Sequence, residues 1–196
     1  MTGAAYRSLS PIYLFGRYAL LLLAPLSGAG YETEDDAALV REKAGYFFDA
    51  FGDSILRLAY SYLHNMDDSE EVLQDTLIRY LRSAPKFLND RHAKAWLMRV
   101  AANLSKNRIR YNTIRRADEL NEELAAEERE DLSFVWEAVT SLTPKYREVI
   151  HLYYEEGYSA SEIAEILGRN ENSVRSDMKR GREKLKEILK GGYDFE

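Results

Sequence analysis

Four side chains able to grip a nucleic-acid backbone recur mid-chain at helical spacing: Arg99, Asn103, Lys106 and Arg110. Steps of four, three and four put them on one face of a helix, where they would form a track for phosphates. Near the C-terminus Glu171, Asn172, Ser173, Arg175, Ser176, Lys179 and Arg180 open another helix. Side chains of these types reach base edges and flanking phosphates of a duplex. A third set is acidic. Asp68, Glu71 and Asp75, with Gln74 beside them, line up in a row that DNA would repel and a basic protein surface would accept. Catalytic chemistry has no comparable candidates: the three histidines are scattered, and neither a glycine-rich phosphate loop nor a convergent carboxylate pair is present. The absence of cysteine excludes disulfides, thiolate zinc sites and thiol catalysis. His64 with Asp67 and Asp68 could be drawn as a metal site, but helix capping already accounts for those acids. The expectation is therefore a protein that is not an enzyme, with no cofactor, no metal and no small-molecule substrate.

The elements that must position these side chains are helical. Between Leu142 and Leu189, Ser159 and Glu162 have the spacing of a capping box, and the helix they start should stop at Gly168. Asn170 can cap the next helix, whose apolar stripe is Val174, Met178, Leu185, Ile188 and Leu189. Two helices joined by so short a turn predict a helix-turn-helix, with its second helix in a DNA major groove. Pro144 fits the first turn of a preceding helix, to be buried through Val149, Ile150, Leu152, Tyr153 and Tyr154. Phe134, Val135, Ala138, Val139 and Leu142 start this C-terminal unit.

Upstream, Tyr46 to Leu63 has a helical rhythm of Phe47, Phe48, Phe51, Ile55, Leu58, Ala59 and Leu63. A second helix, capped by Asp67 or Asp68, should run to about Ser83, with Val72, Leu73, Thr76, Leu77, Tyr80 and Leu81 inward. Pro85 breaks the chain, and a loop over Phe87, Asn89, Asp90, Arg91 and His92 leads into a third helix. Its inner stripe is Ala93, Trp96, Leu97, Val100, Ala101 and Leu104. Trp96 shares that stripe and reads as core, whereas Phe87 fits either core or the wall of a pocket.

Charge is blocked along the chain. Residues 91–116 carry eight basic side chains and no acid, whereas residues 118–131 carry eight acids against Arg129 alone. Separate blocks suggest separate partners, and a net charge of −6 would weaken indiscriminate binding to DNA. The stretch from about Asn112 to Glu130 is polar, acidic and without a sustained stripe, as in a linker. The apolar run Tyr18 to Ala24 is far too short to span a bilayer. With Arg7 and Arg17 before it and Ser27 to Gly30 after, it has the look of a signal-peptide core. The alternatives are an extra helix, a disordered tail, or translated upstream sequence. The domain plan is an extension over 1–40, a helical unit over 41–112, a linker over 113–130, a second helical unit over 131–190 and a tail over 191–196.

An all-α chain of two small helical domains joined by an acidic linker resembles one family. Its marks are DDSEEVLQDTLIRYLRS at 67–83, FLNDRHAKAWLMRVAANLSKNRIR at 87–110 and the block from Leu142. Together these are similar to bacterial RNA polymerase sigma factors of the extracytoplasmic-function type. The resemblance implies that Asp68, Glu71, Gln74 and Asp75 bind the clamp coiled coil of the polymerase largest subunit (region 2.2). It implies that Phe87, Asn89, Asp90, Arg91, His92, Arg99, Asn103, Lys106 and Arg110 melt and hold the −10 element. It assigns the −35 element to region 4, through Glu171, Asn172, Ser173, Arg175, Ser176, Lys179 and Arg180, with the polymerase beta flap as partner. A cytoplasmic location and restraint by an anti-sigma factor also follow from it. No long acidic N-terminal region, no region 3 domain and no added C-terminal domain are expected.

One departure from the family stands at Asp177, where many members carry a basic residue. It fits either an i, i+3 pair with Arg180 or a hydrogen bond from a cytosine amino group. Two other functions compete. A regulator binding duplex DNA without polymerase explains the helix-turn-helix but leaves the acidic face and the basic helix without roles. An adaptor holding only proteins together leaves the basic residues on two separate helices without a partner.

Overall fold

The computed structural model describes residues 33–118 and 134–192, with side chains for 33–113 and 138–190. The signal-like run and most of the acidic stretch lie outside them. All seven elements among the described residues are helices: α1 Glu34–Leu63, α2 Met66–Ser83, α3 Asp90–Asp118, α4 Phe134–Ser141, α5 Pro144–Tyr154, α6 Ala160–Leu167 and α7 Glu171–Gly192. The fold is all-α, as the periodicity requires.

Helix α1 begins twelve residues before Tyr46. Thr33 caps it by accepting from the Asp36 N–H at 3.1 Å, and Glu34, Asp35 and Asp36 complement the helix dipole in the first turn. It ends at His64, a left-handed residue at φ 52, and Asn65 immediately caps α2 by accepting from the Asp68 N–H at 2.9 Å. Asn65 therefore does the capping expected of Asp67 or Asp68, because the α1–α2 turn leaves no residue to spare. Ala84, also left-handed at φ 38, closes α2 just before Pro85. The following loop is shorter than expected. Asn89 accepts from the His92 N–H at 2.9 Å, so Asp90, Arg91 and His92 form the first turn of α3. At its other end α3 continues to Asp118, into the stretch expected to be linker.

Helices α1, α2 and α3 pack on one another around Ile55, Leu58, Leu97, Met98 and Ala101, all essentially without exposure. Each aliphatic side chain so buried stabilises the fold by about 1.5–3 kcal/mol. Phe47 meets the edge of Tyr80 at 4.9 Å, and Phe87 and Trp96 complete an aromatic cluster. Phe87 and Trp96 are both partly buried and pack against the core, so Trp96 is less enclosed than its place in the inner stripe predicts.

In the second group α5 and α6 pack on α7 through Val149, Leu152, Ile163, Ile166 and Val174. Ser159 and Glu162 make the full capping box, Gly168 ends α6 at φ 64, and Pro144 occupies the first turn of α5. Gly181 lets α7 approach α5, since a Cβ there would lie 3.1 Å from Ile150 Cγ1. Tyr153 and Tyr154 are exposed instead of buried, for the inward face of α5 is already filled by Arg147, Glu148 and His151. Buried apolar residues of the two groups form one contiguous cluster, with α1 against α5 and α3 against α6.

Candidate DNA- and polymerase-binding surfaces

The acidic row lies on the outer side of α2, where Glu71 and Asp75 are exposed and Asp68 and Gln74 half-buried. Two of the four have side-chain partners among the described residues. Asp68 accepts from Arg108 at 3.1 Å and from Asn112 at 3.2 Å, and Glu71 also pairs with Arg108. Asp75 carries no ion pair among the described residues. Arg108 therefore ties the acidic helix to α3, the helix with the basic row.

On α3, Arg99, Asn103 and Arg110 are exposed and Lys106 is half-buried. The row exists, but Arg99 and Lys106 within it, and Arg91 at the start of the helix, are engaged by the second group. Arg99 donates to the Glu165 carbonyl oxygen at 2.6 Å, Lys106 pairs with Glu148 at 3.0 Å, and Arg91 pairs with Glu162 at 2.7 Å. Asn103 and Arg110 carry no such ion pair or hydrogen bond among the described residues. Near the N-terminus of α3, Asp90 accepts from the Tyr46 hydroxyl at 2.5 Å, which raises the pKa of that phenol. The His92 ring stands edge-on to Phe87 at 5.5 Å, and its Nδ1 receives the Leu88 N–H at 3.4 Å. Asn89, Arg91, His92, Trp96 and Arg99 line one wall of a cavity of about 300 Å³, closed on the far side by Tyr158, Glu162 and Glu165. No group of three or more candidate ligands that could hold a metal occurs among the described residues.

On α7, Asn172, Ser173, Arg175, Ser176, Lys179 and Arg180 are all exposed, and Glu171 is half-buried. Asn170 caps the helix by accepting from the Asn172 N–H at 2.9 Å. Glu171 holds Arg175 by contacts of 2.9 and 2.6 Å, and Lys179 lies 4.0 Å from Glu183. Asp177 points the other way. It is 6% exposed and pairs with Lys145 at 2.9 Å and Arg169 at 3.5 Å. Neither the Arg180 pair nor the cytosine contact fits that geometry, because the carboxylate is turned into the α5–α7 junction.

Sequence reasoning missed a set of buried ionic residues. Glu148 is 1% exposed and is met by the Tyr62 hydroxyl, Lys106 and Arg169. Burial first, then the negative charge of Glu148, drives the Tyr62 pKa well above its ordinary value. Arg147 sends one nitrogen to the Ser61 carbonyl at the C-terminal end of α1 and another to the Leu142 carbonyl at 2.6 Å. Its burial lowers its pKa to about 10. His64 lies 2.6 Å from Arg147, and burial followed by that charge lowers the histidine pKa. Glu156 takes Lys94 at 2.6 Å. Burial would push its carboxyl up, but hydrogen bonds from His151 and Lys94 hold it down at about 2. Nothing local in the sequence marks these residues, which draw partners such as Tyr62, Ser61, Lys94 and Lys106 from the other side of the acidic stretch.

Two families match the chain: Sigma-70 region 2 over residues 47–114 and Sigma-70, region 4 over residues 135–185. The ECF RNA polymerase sigma factor SigW of Bacillus subtilis is 31% identical over 162 residues, covering 72% of this chain and 86% of that one. The RNA polymerase sigma factor SigV of the same organism is 30% identical over 128 residues, covering 63% of this chain and 77% of that one. In fold the chain is similar to the sigma factor RpoE of Bartonella quintana, solved with the anti-sigma factor NepR. There the TM-score is 0.62 at 24% identity, covering 74% of this chain and 96% of that one. With a basic α3, an exposed recognition face on α7 and an acidic face on α2 in the family's order, this chain belongs to the extracytoplasmic-function sigma factors, which bring RNA polymerase to promoters.

Proposed function

We propose that the chain divides sigma activity among three helices. Asp68, Glu71, Gln74 and Asp75 on α2 engage the clamp coiled coil of the polymerase largest subunit. Asp75 is the strongest contributor, being the acid of the row that no cation among the described residues neutralises. The N-terminal part of α3 and its loop, from Phe87 to His92, with Arg99, Asn103, Lys106 and Arg110, hold the −10 strand. Phe87 acts there from within the aromatic cluster, as support for the loop. Glu171, Asn172, Ser173, Arg175, Ser176, Lys179 and Arg180 read the −35 element, with region 4 docked on the beta flap. The observation that carries this reading is the orientation of α7: every proposed −35 contact except Glu171 is exposed, while Asp177 is turned inward.

In this reading residues 41–112 form region 2, 113–130 the linker and 131–190 region 4, between an extension over 1–40 and a tail over 191–196. Helix α1 already starts at Glu34, so the last residues of the extension join region 2. The chain performs no catalysis of its own; polymerase makes the bonds. It works in the cytoplasm on the nucleoid, and no described helix is long and apolar enough to cross a membrane. An anti-sigma factor, of the kind found with the solved relative, restrains it.

Run-off transcription with cognate core polymerase on fragments of the source genome tests the proposal. Initiation at discrete start sites should depend on the protein. Asp75→Arg should abolish polymerase binding with helix content unchanged. Promoter binding without polymerase, and no binding to the core enzyme, would instead establish a regulator of duplex DNA.

A further inference from the structure

Arg108 belongs to the basic helix α3, yet its guanidinium ends on two acids of α2. Nε stands 3.1 Å from Asp68 and Nη2 pairs with Glu71, so two nitrogens of one fork each meet a separate carboxylate. Asp68 and Glu71 are three residues apart and share a helix face. Asn112, one turn further along α3, donates to the other Asp68 oxygen at 3.2 Å and steadies that carboxylate. Together the two acids form a socket spaced for a guanidinium. A lysine ammonium fits it less well, being a point charge without a fixed fork.

The socket is filled only loosely. The Glu71 side chain is 55% exposed, and those of Arg108 and Asp68 are 24% and 28% exposed. Pairs this open to water contribute little, because solvent screens them and two long side chains must be ordered. The contact with Asp68 is also imperfect. The Arg108 Nε–H is buried, but the Asp68 oxygen lies off its direction, so that donor has no aligned acceptor among the described residues. A buried donor in this state is costly. Internal packing therefore places a cation in the socket without satisfying it in full. Asp75, the remaining acid of the row, has no such cation among the described residues.

We propose that Arg108 is a placeholder for an arginine of the polymerase. On docking, a partner guanidinium enters the socket of Asp68 and Glu71 and Arg108 turns out to solvent, whereas Asp75 is met directly with nothing to displace. This rests on the assignment of the acidic row to the polymerase clamp. Filling the socket from within sharpens specificity. A partner offering a single cation gains little from an exchange that returns Arg108 to water, but one that also pairs with Asp75 gains in full. The free chain thus presents a less negative face than its sequence suggests, which weakens its attraction for unrelated basic proteins.

The test uses the full chain, labelled with a fluorophore at its N-terminal amine, and cognate core polymerase, with binding read by anisotropy. Arg108→Gln keeps a good helix former at that position. Its affinity for core polymerase should rise about fivefold at low salt, the scale of two solvent-screened pairs. The rise should shrink as salt is added. In the wild-type background Glu71→Gln removes a charge that Arg108 had already neutralised, so Asp75→Asn should weaken binding about fivefold more than Glu71→Gln does. In the Arg108→Gln background the two substitutions should weaken it equally. A side chain that merely braced α2 against α3 would leave the ranking of the two acids unchanged. A second arm needs no substitution. A brief pulse of phenylglyoxal, which modifies free guanidinium groups, should label Arg108 faster in the preformed holoenzyme than in the free chain, as read by peptide mass spectrometry.

Unchanged or lower affinity of the Arg108→Gln chain, with helix content intact and Asp75→Asn still weakening binding, would overturn the placeholder and make Arg108 a support of the acidic face. Labelling of Arg108 that is equal or slower in the holoenzyme would overturn it as well. If Glu71→Gln and Asp75→Asn both bound core polymerase like wild type, the assignment of α2 to the polymerase would fall instead, and the placeholder with it.

Discussion

Replacing Glu156 by glutamine should cost stability in a way that depends on pH with a definite sign. Its side chain is 1% exposed and lies 2.6 Å from Lys94, 3.6 Å from His151 and 3.8 Å from Arg57. Burial opposes ionisation, yet the hydrogen bonds and charges of His151 and Lys94 hold the carboxyl at about 2, against an ordinary 4.5. At 1.36 kcal/mol per pH unit that gap is about 3 kcal/mol. A carboxyl depressed in the folded state adds stability that is complete well above 4.5 and is lost as pH falls toward 2. About 2 kcal/mol of it should be gone by pH 3. Glutamine keeps the shape but does not titrate in this range. Denaturant unfolding from pH 7 to pH 3 should therefore show the variant weaker by about 3 kcal/mol at neutrality and by only about 1 kcal/mol at pH 3. A double-mutant cycle with Lys94→Met isolates the share crossing between the two helical groups, expected at about 1–2 kcal/mol. A difference between wild type and variant that stayed constant across this range would refute the reasoning, since a neutral hydrogen bond has no such dependence.

Asp177→Ala should lower stability by about 1–3 kcal/mol, because Lys145 and Arg169 lose the carboxylate they share. It should leave base preference at the −35 element unchanged; a change at one base pair in a selection on isolated region 4 duplexes would contradict the inward orientation. Arg175→Ala should weaken −35 binding by about 1–3 kcal/mol if its contact is bidentate, with polymerase binding untouched. Fluorescence anisotropy on a promoter duplex and on core polymerase checks the two halves, and equal loss in both would show that the surfaces are not separate.

Local signals made most of the fold legible in the sequence. The capping box at Ser159 and Glu162, the stop at Gly168 and the proline at the start of α5 each involve partners within four residues, so sequence spacing alone specifies them. Errors arose where two local solutions were equally good. Asn65 competed with Asp67 and Asp68 to cap α2, and only the tightness of the turn after His64 decides for asparagine. Tyr153 and Tyr154 continue the apolar pattern of α5, yet they face outward because Arg147, Glu148 and His151 take the inner positions. Polar side chains at inward positions read as breaks in a stripe. They become intelligible only once Tyr62, Ser61 and Lys106 arrive from elements tens of residues away.

The same limit applies to the surfaces. Charge and helical spacing identify where cations gather but not what satisfies them, because a phosphate and a carboxylate ask the same geometry of an arginine. Arg99, Lys106 and Arg175 looked alike in the sequence. In the structure Arg175 is held by a neighbour one turn away on an exposed helix face, whereas Arg99 and Lys106 reach across to the other helical group. An arginine whose partner is local and exposed exchanges it for DNA at small cost, since surface pairs of this kind contribute little. Lys106, whose partner is the buried carboxylate of Glu148, cannot exchange it without moving the element that carries the carboxylate, and Arg99 ends on the Glu165 backbone carbonyl of that same group. The two basic helices therefore differ in how freely their cations can turn to another anion, a difference fixed by the acceptor each cation meets and invisible in the basic residues themselves.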